Sequence, residues 1–266
     1  MSRKNLLLQR LDDIGKSLEL TNQALALLGL GSVGIETERI DDYSDLDFFV
    51  IAKQGCKQRL LDNLDWLSHV NNLTYSFKNT DNGYKIMFED GIYGEFAVFE
   101  ERELEGIPYS EGRIVWKYSS YNNNDIARPS KIIPEVKNHS IDFALNEALT
   151  NLYVGLCRYA RGEKLSALRL IENHAVNQLT SIVHLIEIKT ESYADKFCNN
   201  RRIEKQYPGF SKHLGKMLQG YEKSPQSAIY ILEYLEDLYP VNKELSNAIK
   251  NLAFQLASKM PKEEAE

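Results

Sequence analysis

The residues best suited to chemistry lie between positions 31 and 47. A short apolar run ends at Gly31-Ser32, a polar loop follows, and Asp45 and Asp47 then open a second apolar run. Because side chains alternate along a strand, the two aspartates should share one face while Leu46 points into the core. Two neighbouring carboxylates suit a hard cation such as Mg²⁺, and without a cation they would repel each other.

The Gly31-Ser32 pair is expected to contact phosphate. Glycine lets the backbone approach a ligand closely, and Ser32 can donate its hydroxyl and amide hydrogens to a phosphate oxygen. Two metal-binding acids beside such a turn predict phosphoryl transfer. The pattern is not a P-loop, since GxxxxGK[ST] is absent. Asp-x-Asp alone is more often a solvated strand end, but its combination with Gly-Ser and two apolar strands is far more specific.

These residues resemble a known signature. Gly31-Ser32 together with Ser44-Asp45-Leu46-Asp47-Phe48 resembles that of the polymerase-beta-like nucleotidyltransferase superfamily, and within it the chain is similar to the lincosamide and aminoglycoside nucleotidyltransferases. Tyr93-Gly94-Glu95-Phe96 and Arg161-Gly162-Glu163 add to the likeness. The resemblance covers most of the chain but is specific only in its first part. It implies a mixed α/β catalytic domain followed by a helical domain.

The resemblance also implies roles for single residues. Asp45 and Asp47 would hold Mg²⁺, and Ser32 would contact the triphosphate of a nucleoside triphosphate such as ATP. Glu95 would be a third carboxylate, either a metal ligand or the base that deprotonates the acceptor, and we favour the base. The alternative without a function is that Glu95 is an exposed acid on a strand. The further candidates for nucleotide binding are Gly31, Ser44 and Lys164. Lys164 lies on a predicted helix, where charged residues are usually just the solvated face.

The pattern of apolar residues predicts an α+β fold with two domains, 1–128 and 129–266. The first is a mixed sheet with flanking helices, and the second is a helical bundle. The predicted strands are Ala24–Leu30, Leu46–Ala52, Leu73–Phe77, Tyr84–Phe88 and Gly94–Phe99, and the predicted helices are Lys57–His69, Ser140–Ala160, Ser166–Lys189, Ser227–Leu238, Lys243–Ser258 and one that Ser2 caps. We expect the aromatic stretch from Tyr109 to Tyr121 to pack the domain junction rather than to stack on a base or an acceptor.

Composition narrows the choice of partner. The net charge of −6 argues against a long nucleic acid as the main partner, since such proteins usually carry a basic surface. No apolar run is long enough to span a bilayer, and the N-terminus does not resemble a signal peptide, so a cytoplasmic protein is expected. The cysteines are far apart, which disfavours disulfides and a zinc site. A homodimer through Ser227–Leu238 is one expectation.

The sequence therefore predicts an enzyme that moves a nucleoside monophosphate from a Mg-nucleotide to a hydroxyl of a small molecule and releases pyrophosphate. The resemblance to antibiotic-modifying enzymes leaves the acceptor open, because function resides in the site and not in the fold. One alternative keeps the chemistry but modifies a protein or an RNA. Another is a catalytically inactive protein of the same fold that binds a nucleotide or a partner.

Overall fold

The computed structural model describes residues 2–131, 140–190, 195, 198 and 200–258. Its contacts divide the chain into two compact units, Met1–Pro134 and Glu135–Glu266. The first contains the sheet and the second is helical, which confirms the α+β fold class. The predicted boundary after residue 128 lies close to this division.

The first unit is built on a mixed sheet. Its helices are α1 (Arg3–Thr21), α2 (Lys57–Asp62) and α3 (Asp65–Ser68), and its strands are β1 (Ala24–Gly29), β2 (Leu46–Ala52), β3 (Leu73–Thr80), β4 (Gly83–Phe88), β5 (Tyr93–Glu100) and β6 (Arg113–Lys117). The strand order is β3-β4-β5-β2-β1-β6. Strands β2 and β5 pair in parallel, and the pairings of β1 with β2 and of β3 with β4 are antiparallel. The parallel pair brings together two strands that the β3–β4 hairpin separates in sequence.

The two faces of the sheet are covered differently. One face, the core face, packs against the apolar side of α1 and against α3, and its buried members include Leu46, Phe48, Ile86, Phe88, Phe96 and Val98. The opposite face carries a smaller cluster that includes Ile51, Phe99, Tyr109, Ile126 and Ala127. The segment after β5 supplies Leu104, Tyr109, Ile126 and Ala127 to this cluster.

Three features of the first unit differ from the sequence predictions or add to them. Strand β6 was missed, although Trp116 in it packs in the core that α1 covers. Tyr109 is buried in the second cluster, so these two aromatic residues pack inside the first unit. The predicted helix from Lys57 to His69 is interrupted at Asn63, whose extended backbone ends α2. Asn63 also accepts a hydrogen bond from the amide of Asp65, which starts α3.

The second unit is a bundle around one apolar core. Its elements are α4 (Ile141–Ala160), α5 (Lys164–Leu168), a π-helical segment (Arg169–Ala175), α6 (Val176–Ile186), α7 (Ile203–Gln206), α8 (Pro208–Met217), α9 (Ser224–Leu238) and α10 (Lys243–Ser258). Ser140 caps α4 by accepting a hydrogen bond from the amide of Phe143. The apolar side of α9, which suggested a dimer contact, is buried in this core through residues such as Ile231 and Leu235.

The π-helical segment lies where one continuous helix was predicted from Ser166 to Lys189. Glu172 in this segment is buried and accepts hydrogen bonds from the amide of Gly220 and the hydroxyls of Ser224 and Ser227. Helix α8 was also missed, since Pro208 was expected to interrupt the chain and instead occupies the first turn of a helix, where proline is tolerated. None of the helices in the described residues is both long and apolar enough to cross a membrane.

Candidate active site

The acids at the candidate site are brought together by the parallel pairing of β2 and β5. Asp47 lies directly opposite Glu95, and Leu46 lies opposite Gly94. Leu46 is fully buried in the core, so Asp47 and Glu95 point to the second face, where both are half-buried. Asp45 precedes β2 by one residue and is also half-buried. The register thus places two carboxylates side by side on an accessible part of the sheet.

The turn after β1 lies beside Asp47. The amide of Leu30 donates to the backbone oxygen of Asp47 over 2.8 Å, which fixes the end of β1 against the start of β2. Gly31 has a φ of +52°, a conformation that favours glycine. A Cβ atom on Gly31 would lie 3.8 Å from Oδ2 of Asp47, in ordinary van der Waals contact, so the turn lies directly beside this carboxylate. Ser32, the next residue, is buried.

Glu95 has two partners on its own face of the sheet. The ammonium of Lys85 lies 2.9 Å from its Oε1, and the hydroxyl of Tyr93 donates to the same oxygen over 3.3 Å. The hydrogen bond between Lys85 and Glu95, together with the negative charge of Glu95, raises the pKa of Lys85. Burial raises the pKa of Tyr93, and the charges of Glu95 and Asp45 add to the rise. Asp45 and Glu95 therefore act on a common neighbour, as expected for groups that share one site.

Two arginines beside the turn were not singled out from the sequence. The Nη2 atom of Arg39 would lie 3.6 Å from a Cβ on Gly31, and this side chain is paired with Glu36. Arg113 on β6 donates from Nη2 to the backbone oxygen of Val33, and its Nε is buried without a hydrogen bond to any described residue. Both guanidiniums place positive charge near the predicted phosphate turn. The sequence carries no local signal for them, because β6 and the loop reach the turn only through the fold.

Two other predicted nucleotide-binding residues have partners in their own surroundings. The hydroxyl of Ser44 donates to Asp41 and accepts from the amide of Asp41, so it closes the loop that leads to Asp45. Lys164 lies in the second unit, where its ammonium is hydrogen-bonded to Glu222. The hydrogen bond to Glu222 raises the pKa of Lys164. Ser44 is thus engaged within its own loop and Lys164 within the second unit.

The acids fit a magnesium ion in their chemistry, since Mg²⁺ prefers oxygen ligands and one or two carboxylates. Asp47 lies beside the Gly31 turn. Among the described residues, however, no group of three or more histidine, cysteine or acidic side chains is gathered closely enough to hold a metal. Glu95 is directed to Lys85 instead. The arrangement therefore fits a pair of ligands, Asp45 and Asp47, with Glu95 in a separate role.

Comparison with known proteins adds little to this geometry. No protein-family model matches the sequence, and no curated protein matches it. A solved structure, that of an aminoglycoside 6-adenyltransferase from Bacillus subtilis, is similar over 94% of this chain and 98% of its own, with 15% identity and a TM-score of 0.35. At these values the likeness identifies neither a substrate nor a reaction.

Proposed function

We propose that the chain is a nucleotidyltransferase that moves a nucleoside monophosphate from a nucleoside triphosphate to a hydroxyl of a small molecule. The observation that carries the proposal is the direct pairing of Asp47 with Glu95 beside the Gly31-Ser32 turn. Two acids at this position without further features would be typical of a solvent-exposed strand end. Here the acids adjoin a left-handed glycine and positive charge from Arg39, which together suit a triphosphate.

In the proposed reaction, the acceptor oxygen forms a bond to the α-phosphorus of the nucleotide. The bond from the α-phosphorus to the oxygen bridging to the β-phosphorus breaks, and pyrophosphate leaves with the electron pair. Glu95 takes the proton of the acceptor hydroxyl, and Lys85 orients the Glu95 carboxylate. The amide and hydroxyl of Ser32 contact phosphate oxygens, and Arg39 offsets their charge.

Asp45 and Asp47 would hold the magnesium ion, which neutralises charge that develops on the phosphates when it is bound. Glu95 is assigned the base role rather than a third ligand, because its Oε1 is engaged by Tyr93 of its own strand and by Lys85 of β4, the neighbouring strand opposite to that of Asp47. A base must be within hydrogen-bond reach of the proton it removes, and the half-exposed position of Glu95 allows this.

The proposal predicts the effect of conservative changes at the acids. Asp47→Asn and Glu95→Gln should each lower nucleotide-dependent pyrophosphate release by about a hundredfold or more, since each removes a charge needed in the transition state. Asp42→Asn is the matched control, because Asp42 is an exposed acid of the same loop. Pyrophosphate release with ATP, GTP, CTP and UTP over a panel of hydroxyl compounds measures the effect, and calorimetry with Mg-nucleotide measures binding.

The two acid variants should differ in binding. Asp47→Asn should weaken the affinity for Mg-nucleotide, whereas Glu95→Gln should leave it nearly unchanged and lose only turnover. Full pyrophosphate release by Asp47→Asn would refute the site. Tight binding of nucleotide by the wild-type chain without transfer to any small molecule, protein or RNA would favour the inactive binding protein instead.

A further inference from the structure

Strand β3 is an edge strand whose side chains after Leu73 are all exposed. Between Leu73 and Tyr75 its pairing with β4 shifts: Leu73 lies opposite Phe88, but Tyr75 lies opposite Met87, so two steps along β3 match one step along β4. This is a β-bulge with one extra residue on β3. The hydroxyl of Thr74, within the bulge, donates to the backbone oxygen of Met87 over 3.2 Å.

The bulge reverses the faces of β3. Leu73, before it, packs with the core that α1 and α3 cover. Without the bulge, the alternation of Leu73, Tyr75 and Phe77 would place all three side chains on that core face, because side chains repeat every second residue. With it, Tyr75 and Phe77 share a face with Met87 and Lys85, which is the face of Glu95 and Asp47.

The exposed apolar residues of this hairpin therefore lie on the face of Glu95 and Asp47, opposite to the core face. Tyr75, Phe77 and Met87, here called the aromatic strip, are 51%, 52% and 39% exposed. The residues of β3 that alternate with them, Ser76 and Lys78, are polar and lie on the other face. A surface strand normally shows the reverse pattern, with apolar residues toward the core. Packing of the core thus does not account for the aromatic strip.

The aromatic strip is continuous with the candidate active site. Register connects Phe77 to Lys85, Lys85 to Glu95 and Glu95 to Asp47 in one row across four strands. A second row connects Tyr75 to Met87 and Met87 to Tyr93. Neighbouring strands are about 4.8 Å apart, so Phe77 and Glu95 are separated by about 10 Å, the length of a two- or three-ring compound.

We propose that the aromatic strip binds the apolar part of the acceptor, which is a hydroxyl compound with a flat ring system. This inference rests on the proposed function, since it assigns the acceptor of the same reaction. The rings of Tyr75 and Phe77 provide a stacking surface, Met87 adapts to its shape, and the acceptor hydroxyl reaches Glu95 across Lys85. The acceptor carries no strong positive charge, because Lys85 lies between the aromatic strip and Glu95.

A probe without nucleotide tests the surface directly. Naphthaleneethanol supplies a two-ring system and a hydroxyl, and glycerol supplies hydroxyls alone. The wild-type chain should bind naphthaleneethanol, measured by calorimetry or ligand-observed NMR, and should not bind glycerol. The double variant Tyr75→Thr/Phe77→Thr keeps good strand formers and should weaken binding of the probe about tenfold. Ser76→Thr/Lys78→Thr, on the other face of the same strand, should bind as the wild type does.

Transfer supplies the second measurement. With naphthaleneethanol as acceptor, Tyr75→Thr/Phe77→Thr should raise the acceptor KM about tenfold and leave the nucleotide KM unchanged. Asp47→Asn should lose transfer yet bind naphthaleneethanol normally, which separates the surface from the chemistry.

Several results would overturn the proposal. Equal binding and equal KM in the aromatic-strip variant and the wild type would remove the aromatic strip from the site while leaving the proposed function intact. Binding of the probe by the wild type without transfer to it, while pyrophosphate release with other hydroxyl compounds persists, would refute the acceptor role and leave the proposed function intact. A change from dimer to monomer in sedimentation of Tyr75→Thr/Phe77→Thr, with probe binding unchanged, would instead make this face a contact between two copies.

Discussion

At the scale of single residues, the candidate site depends on how Glu95 is held. Lys85 and Tyr93 both contact its Oε1, and both project from the face that carries Asp47. The side chains of Lys85 and Glu95 are 39% and 40% exposed. Ion pairs of that exposure contribute little to folding, since water screens them. The contact between Lys85 and Glu95 therefore matters for orientation more than for stability.

Replacing Lys85 separates these two effects. Lys85→Met should lower the turnover number about tenfold, because the carboxylate of Glu95 loses its orienting partner, and should leave the free energy of unfolding nearly unchanged. Lys85→Arg keeps a cation and should restore most of the turnover. Steady-state kinetics and urea unfolding measure both quantities. Lys78→Met, on the opposite face of the same hairpin, serves as the control, and equal turnover in all variants would contradict the assignment.

At the scale of elements, the spacing of β2 and β5 sets the geometry of the acids. Gly94 lies opposite Leu46, and a Cβ atom on Gly94 would lie 2.9 Å from the backbone oxygen and 3.0 Å from the Cβ of Leu46. Both contacts are with atoms that cannot rotate away. The absence of a side chain at this position is what allows the two strands to approach.

Gly94→Ala should therefore act on stability and activity together. Forcing the strands apart should cost about 1–3 kcal/mol of unfolding free energy and displace Glu95 from Asp47, so turnover should fall in the variant that remains folded. Gly215→Ala is the control, since a Cβ there meets nothing within 4 Å and the residue lies in helix α8. Guanidinium unfolding with parallel activity measurements checks this, and an active variant of unchanged stability would contradict it.

The elements also show which features the sequence predicts and which it does not. Strand β2 and the cap of α1 follow from local patterns, namely an apolar run and a serine before a helix. The parallel pairing of β2 with β5 depends on residues far apart in sequence. Lys85 and Arg39 were missed for the same reason, because their neighbours are set by register and by the loop. Simple alternation along β3 would place Tyr75 on the core face, and the bulge at Thr74 reverses this.

At the scale of the whole molecule, several carboxyl groups connect stability to pH. Burial opposes ionisation of Glu236, but its hydrogen bonds with Lys250 and Ser246 outweigh this and lower its pKa. The pKa of Glu103 is also lowered, because its hydrogen bonds with Lys57 and the backbone of Glu100 outweigh the effect of burial. A carboxyl group whose pKa is lower in the folded state stabilises the fold above its unfolded pKa. That contribution is lost as pH falls through the folded pKa.

Acid should therefore weaken the protein through these groups. The free energy of unfolding should be highest near neutral pH and should fall below about pH 4.5, where such carboxyl groups begin to be protonated in the unfolded chain. Glu236→Gln should reduce the loss of unfolding free energy at low pH by less than about 1 kcal/mol, because the ion pair with Lys250 is partly exposed. Urea unfolding at pH 7 and pH 3.5 compares the two proteins. Glu233→Gln, an exposed acid on the same helix, should show the wild-type dependence.

The parallel pairing of β2 with β5 has a consequence for biosynthesis. A parallel neighbour cannot be reached by a tight turn, and here the intervening chain forms α2, α3 and the β3–β4 hairpin. Asp47 leaves the ribosome well before Glu95, so a nascent or truncated chain that stops short of β5 carries one half of the acid pair. The proposed activity would then arise only after β5 has been made and has paired with β2.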